Sequence, residues 1–166
     1  MVSTGLFDAL ATGLVTGSII AAGALGLSLI YSIAEVPNFA HGDIITIGAY
    51  LALVFNKPAA IPFLPDSVPL VGTTSLAVAG VLAGWSASNV NPNMGFSLLL
   101  PVFAAVIMGG IRSPYGSALA GLLIGFSMDL GVYVLPSGLA VYREAIAFVI
   151  LIAVLLVRPE GIWGDV

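Results

Sequence analysis

The side chains able to do chemistry are few, and most of them cluster in Pro37-Asn38-Phe39-Ala40-His41-Gly42-Asp43. That segment sets the sole histidine of the chain, an amide and a carboxylate between two apolar runs. Asp129 is a second carboxylate, set inside another apolar run. Polar groups at membrane depth face a bundle interior, a cavity or a pathway, because a charge at the bilayer centre costs about 2.5–3.5 kcal/mol on insertion scales. Asn38, His41, Asp43 and Asp129 are therefore the candidate pathway residues. Each also has a structural reading. Asp43 follows Gly42 and precedes an apolar run, an N-cap position where its carboxylate accepts a backbone N–H. Asn38 can cap a turn after Pro37. His41 is either a hydrogen-bonding core residue or a group whose charge changes near neutral pH. Asp129 is either a pathway residue or a buried partner of Arg112, Arg143 or Tyr133. Arg112 is seventeen residues from it, about 25 Å at helical rise.

Other chemistries lack their parts. There is no cysteine and one histidine, which removes disulfides and makes a zinc site or any other resident metal or cofactor unexpected. No nucleophile with a neighbouring base, phosphate-cradling loop with lysine, or paired-carboxylate motif is present, so the chain reads as a non-enzyme. Four Lys and Arg against eight Asp and Glu give a net charge of −4, which argues against nucleic acid as a partner.

The elements that position these residues are membrane helices. Of 166 residues 60% are hydrophobic and 7% charged, and mean hydropathy is +1.16; soluble domains carry roughly 25% charged residues. The apolar runs are continuous rather than alternating, which predicts an all-α integral membrane bundle instead of a β-barrel. Six apolar segments stand out: Leu14–Ala34, Ile44–Phe55, Val68–Ala87, Ser97–Ile111, Ser117–Leu135 and Ala145–Val157. The second is too short to span unless residues from Pro37 onward are included, so one or two segments are expected to be broken or re-entrant. The whole of 1–166 reads as a single transmembrane domain, interrupted by the linker Asn56–Pro69 with Pro58, Pro62, Pro65 and Pro69. The first residues carry no basic cluster and include Asp8, so the first run is expected to be a retained span.

Small residues recur at a spacing of four in Gly13 and Gly17, Gly80 and Gly84, and Ser117, Gly121 and Gly125. They supply flat helix faces for close packing, within the chain or between subunits. Tyr142, Arg143, Arg158 and Trp163 bracket the last run and fit interfacial anchoring, the two arginines about 22 Å apart at helical rise. If all six segments cross, Lys57, Arg112 and Arg158 share one side and Arg143 lies opposite. That balance predicts both termini in the cytoplasm.

Several blocks carry a resemblance. Gly17-Ser18-Ile19-Ile20, Gly26-Leu27-Ser28-Leu29-Ile30-Tyr31, Asn38-Phe39-Ala40-His41-Gly42-Asp43 and Gly48-Ala49-Tyr50-Leu51 resemble the start of branched-chain amino-acid ABC transporter permeases of the LivH type. Asn91-Pro92-Asn93-Met94-Gly95-Phe96, Phe103 through Ile111, Ser113-Pro114-Tyr115-Gly116 and Arg158-Pro159-Glu160-Gly161-Ile162-Trp163-Gly164 resemble later parts of the same family. The resemblance implies a cell-membrane importer subunit working by alternating access. It also implies ABC ATPase subunits, a second permease subunit and an extracytoplasmic solute-binding protein as partners, with the lipid bilayer around them. The family's charged cytoplasmic stretch that docks on the ATPase has no counterpart here: the chain passes from the linker into the block that follows that stretch. It resembles a permease shortened by loss of its central region, which keeps open a non-transporting scaffold or degenerate permease fragment, and a passive pore for a small neutral solute.

Overall fold

A computed structural model describes residues 2–36, 38–56, 92–135 and 142–162, and side chains for 5–36, 38–50, 92–135 and 142–162. Among the described residues the chain forms five helices and no strand: α1 Val2–Ala34, α2 His41–Asn56, α3 Met94–Gly109, α4 Pro114–Val134 and α5 Arg143–Val157. The apolar segment Val68–Ala87, the glycines Gly80 and Gly84, Trp163 and nearly all of the linker lie outside the described residues.

α1 starts twelve residues before the first apolar run, because nothing on the N-terminal side breaks the helix. Its hydroxyls bond back into it, Thr12 to the Asp8 carbonyl (2.8 Å) and Ser18 to that of Leu14 (2.7 Å), so they need no water. Thirty-three residues make about 50 Å of helix, more than one bilayer crossing requires. α4 opens as its sequence directs: Ser113 accepts the Gly116 N–H at 3.2 Å and Pro114 fills the first turn. The residues Gly5–Ala34 and Pro114–Val134 are each long and apolar enough to cross a membrane, and α3 is a shorter apolar helix.

α1 packs most extensively against α4, α3 lies against both, and α5 packs on α3 and α4. The α1–α4 pair is antiparallel and meets at its small residues. A Cβ added at Gly121 would lie 2.6 Å from the Ala21 Cα, and one at Gly17 would lie 2.9 Å from the Leu122 carbonyl oxygen; Gly125 faces Gly17 itself. Further along, Gly13 faces Phe126 and Gly5 faces Tyr133. The small-residue spacing of four is thus satisfied within the chain for Gly13, Gly17, Gly121 and Gly125. Around this seam Ile20, Leu27, Val102, Met108 and Ile124 form the buried centre. Bulky apolar side chains such as Phe7, Ile33, Phe96 and Leu156 point outward, the pattern of a bundle solvated by lipid.

The ends of the helices are aligned by polar contacts. Glu35, just past α1, pairs with Arg112, just before α4, at 2.7 Å. The chain after α5 returns to the end of α3, with the Ile162 N–H on the Met108 carbonyl at 2.7 Å. The close of α5 therefore sits at the Glu35–Arg112 end, and Val2 sits at the other. Six crossings would place both termini on one side; the described helices place Val2 and Ile162 at opposite ends of the bundle. Among the described residues, α2 is the helix that does not start from a bundle end. The His41 Nε2 lies 2.9 Å from the Gly23 carbonyl oxygen, and Gly23 is eleven residues, or about 16 Å, before the close of α1. The chain leaves α1, turns back, and begins α2 part-way through the bundle.

Replacing Gly121 by alanine is expected to destabilise the bundle by about 1–3 kcal/mol, since the new methyl meets Ala21 backbone that cannot yield. Thermal unfolding in mild detergent checks this, with Leu123→Ala on the exposed side of α4 expected to change little.

Candidate functional site

The start of α2 is built by Asn38. Its side-chain oxygen accepts the Ala40 N–H (3.1 Å) and its carbonyl accepts the His41 N–H (3.1 Å), which turns the chain into the helix. Asp43, expected at the cap, is instead the third residue of α2 and exposed, with its carboxylate still at the positive end of the helix dipole. Phe39 stacks on Phe103 of α3 with ring centroids 5.2 Å apart, which holds the returning segment against the bundle.

His41 is 7% exposed. A carbonyl only accepts, so the Nε2 facing the Gly23 oxygen carries the proton. The Nδ1 is buried and has no hydrogen-bond partner among the described residues. Gly26 makes room for the imidazole, and Gly23 for the neighbouring Val102 of α3. A Cβ at Gly26 would lie 3.1 Å from the His41 Cε1, and one at Gly23 would lie 2.8 Å from a Val102 methyl.

One turn on, α2 crosses α3 at two glycines. A Cβ at Gly42 would stand 2.9 Å from the Gly95 carbonyl oxygen. Thr46 accepts the Gly95 N–H at 2.9 Å and donates to the Gly42 carbonyl at 3.1 Å. Gly42 is the second residue of α2 and Gly95 the second of α3, so the positive ends of two short helices converge beside Asn38, His41 and Asp43. Thr46 and Gly95 were not among the sequence candidates. The only trace either leaves in the sequence is the Asn93-Met94-Gly95 block, and a lone threonine in an apolar run carries no signal of its own.

Asp129 belongs to a different place. Its Oδ1 lies 2.5 Å from Arg143 Nη2, which also donates to the Thr16 hydroxyl at 2.8 Å. The carboxylate is 10% exposed and the guanidinium side chain 40%. Arg143 is therefore no simple interfacial anchor: it turns inward, because a carboxylate facing the bundle interior attracts the nearest cation more strongly than the interface does. The cluster ties α1, α4 and α5 and leaves Asp129 Oδ2 and Arg143 Nε buried without partners among the described residues. Arg112, the other arginine considered for Asp129, is committed to Glu35 at the opposite end. Tyr142 is 60% exposed at the start of α5, where an aromatic anchor would stand. Arg158 is exposed and donates to the Ile162 carbonyl at 3.1 Å. Among the described residues no group of three or more His, Cys, Asp or Glu could hold a metal ion.

The chain matches the family described as branched-chain amino acid transport system, permease component, over residues 9–75 and 67–155. It belongs to that family. It is accordingly an all-helical integral membrane protein of a permease family rather than of an enzyme family. It is similar to the high-affinity branched-chain amino acid transport system permease protein BraD of Pseudomonas aeruginosa, with 40% identity over 95 residues, 57% of this chain and 30% of BraD. The LivH permease proteins of Escherichia coli K12 and Salmonella typhimurium are each 38% identical over 95 residues, again 57% of this chain and 30% of theirs. The chain thus matches about 30% of the length of these curated relatives. No solved structure matches it significantly.

Breaking the Asp129–Arg143 pair from one side leaves a charge without its partner inside the bundle. Asp129→Asn and Arg143→Gln are each expected to cost about 2 kcal/mol, below the roughly 3–5 kcal/mol typical of fully buried pairs because Arg143 is partly exposed. The double variant is expected to cost less than the sum of the two, and a double-mutant cycle on unfolding free energies measures the difference.

Proposed function

We propose that this chain is a permease component of a cell-membrane ABC importer for branched-chain amino acids or a related small polar solute. It would work by alternating access driven by separate ATPase subunits, beside a second permease subunit and with solute delivered by an extracytoplasmic binding protein. The observation that carries the reading, beyond family membership, is the start of α2 part-way through the bundle, where it meets the start of α3 at Gly42 and Gly95. Short helices that begin at membrane depth aim unpaired N–H groups and positive dipole ends at a pathway, and discontinuous helices contact anionic solute groups in this way in transporters. The carboxylate of an amino acid suits such a place. Its ammonium group suits Asp43, which is exposed in the first turn of α2.

The end that carries Glu35, Arg112 and Arg158 is the cytoplasmic one in this reading, because two arginines of the described residues lie there and Arg143 at the other end is drawn inward. The start of α1 then faces outward. A permease moves its helices only if a cytoplasmic partner makes different contacts in the two states. Glu35, Arg112 and the turn after α5 are the groups at that end able to touch one.

A second reading follows from length. Matching about 30% of its relatives' length, the chain would serve as a non-transporting membrane scaffold if no other subunit supplies the remaining helices and the ATPase contact.

Three measurements separate these readings. Affinity purification of the tagged chain from native membranes should recover an ATPase subunit and a second permease chain; recovery of the chain alone favours the scaffold. In the assembled importer Asp43→Asn is expected to lower solute uptake about tenfold, the loss of one charge-assisted hydrogen bond, with assembly intact because the side chain is exposed. Unchanged uptake would remove Asp43 from the pathway. The chain has no native cysteine, so Asp8→Cys and Glu160→Cys report sidedness directly. An impermeant maleimide should label the first in intact cells and the second only after permeabilisation, and the reverse result would invert the bundle.

A further inference from the structure

The close of α5 carries a groove apart from the solute pathway proposed at the start of α2. Ile150, Ala153, Val154, Val157 and Ile162 wall it, Arg158 stands at its rim, and it encloses about 340 Å³. The groove exists because the chain turns back after α5. Gly161 takes φ +84°, where a Cβ would lie 2.7 Å from the Gly110 nitrogen, and this brings Ile162 onto the close of α3. Arg158 Nη1 donates to the Ile162 carbonyl at 3.1 Å, which fixes the guanidinium over the groove and leaves its remaining N–H groups open to solvent. The other described arginines are each paired with a carboxylate, Arg112 with Glu35 and Arg143 with Asp129. Arg158 has none within salt-bridge reach among the described residues.

We propose that this groove binds one acyl chain of a net-anionic phospholipid whose phosphate rests on Arg158. The wall is apolar along its whole length and lies on a helix of fifteen residues, about 22 Å, short of the roughly 30 Å hydrocarbon core. A short helix draws lipid headgroups inward or sends its terminal cation out to them, and both bring a phosphate to Arg158. The planar guanidinium still has N–H groups for two phosphate oxygens after its bond to Ile162. A choline or ethanolamine headgroup would set its own cation beside that arginine, whereas a net-anionic headgroup would not. Glu160 is exposed two residues on but is not part of the wall.

Native mass spectrometry of the full chain, delipidated in mild detergent and supplied in turn with phosphatidylglycerol and phosphatidylcholine, tests this. The expected result is a one-to-one phosphatidylglycerol adduct about fivefold more abundant than the phosphatidylcholine adduct, the preference one basic side chain confers. Arg158→Gln should reduce phosphatidylglycerol to the phosphatidylcholine level. Ala153→Phe, which fills the groove from an exposed position, should reduce both adducts. Arg112→Gln, at the same end of the bundle, should leave the preference intact. Equal retention of the two lipids by the unaltered chain would overturn the proposal without any variant. So would a preference that survives Arg158→Gln or Ala153→Phe, or one that Arg112→Gln abolishes as completely. None of these outcomes bears on solute uptake.

Discussion

Everything else in the bundle follows from the backbone contact between α1 and α4. With Gly17 and Ala21 against Gly121 and Gly125, the two helices approach until main chain meets main chain, and lipid tails that resemble leucine side chains supply no competing drive. That contact fixes the register of the pair along its whole length. Because the helices run antiparallel, the same register carries Glu35 to Arg112 at one end and Gly5 to Tyr133 at the other. It also sets Thr16 of α1 beside the α4 carboxylate that Arg143 reaches. A shift of one helical turn would move partners by about 5.4 Å and undo each of these polar contacts.

The polar side chains inside the bundle share one rule, set by the absence of water in the hydrocarbon. Each finds a partner on another element, or a carbonyl of its own helix. Ser28, fully buried, donates to the Ile111 carbonyl at 3.0 Å; Ser117 donates to that of Gly110; His41 donates to that of Gly23; and Thr46 takes the Gly95 N–H. Those carbonyls fall into two groups. Gly110 and Ile111 lie past the close of α3, where intrahelical donors have run out, so Ser28 and Ser117 act as caps delivered by neighbouring helices. Gly23 lies within α1, and the imidazole reaches its oxygen across Gly26, which has no side chain to block it.

Helix type was legible because apolar runs are local signals, although α1 starts twelve residues before its run. The small-residue faces were legible as faces; that Gly125 meets Gly17, Gly121 meets Ala21 and Gly13 meets Phe126 was not, since spacing names no partner. His41 and Asn38 stood out by type in an apolar chain. What the histidine touches depends on Gly23 and Gly26, and glycines inside a long apolar helix read as packing residues wherever they fall. Arg143 carried two readings, an interfacial anchor by its place at a span end and a partner of Asp129 fourteen residues earlier, and the fold brings the second pair together. The depth at which α2 begins was not legible either, as hydropathy marks where a helix is apolar and not where it starts.

These contacts divide the bundle by how it can move. Main-chain contact at α1 and α4 leaves no side-chain layer to rearrange, so the pair behaves as one rigid body. α2 is attached differently. It is held by the imidazole bond to Gly23, by the glycine crossing with α3, and by the Thr46 bridge. A glycine crossing has no interlocking side chains, so pivoting about it repacks little, and a single imidazole bond contributes only about 1 kcal/mol net. α2 is thus held by side-chain hydrogen bonds, the glycine crossing with α3 and the Phe39–Phe103 stack, and not by a main-chain seam of the kind that joins α1 and α4. Asn38 and His41 are coupled at the entry to α2, since the Asn38 carbonyl accepts the His41 N–H, and Asp43 follows in the first turn.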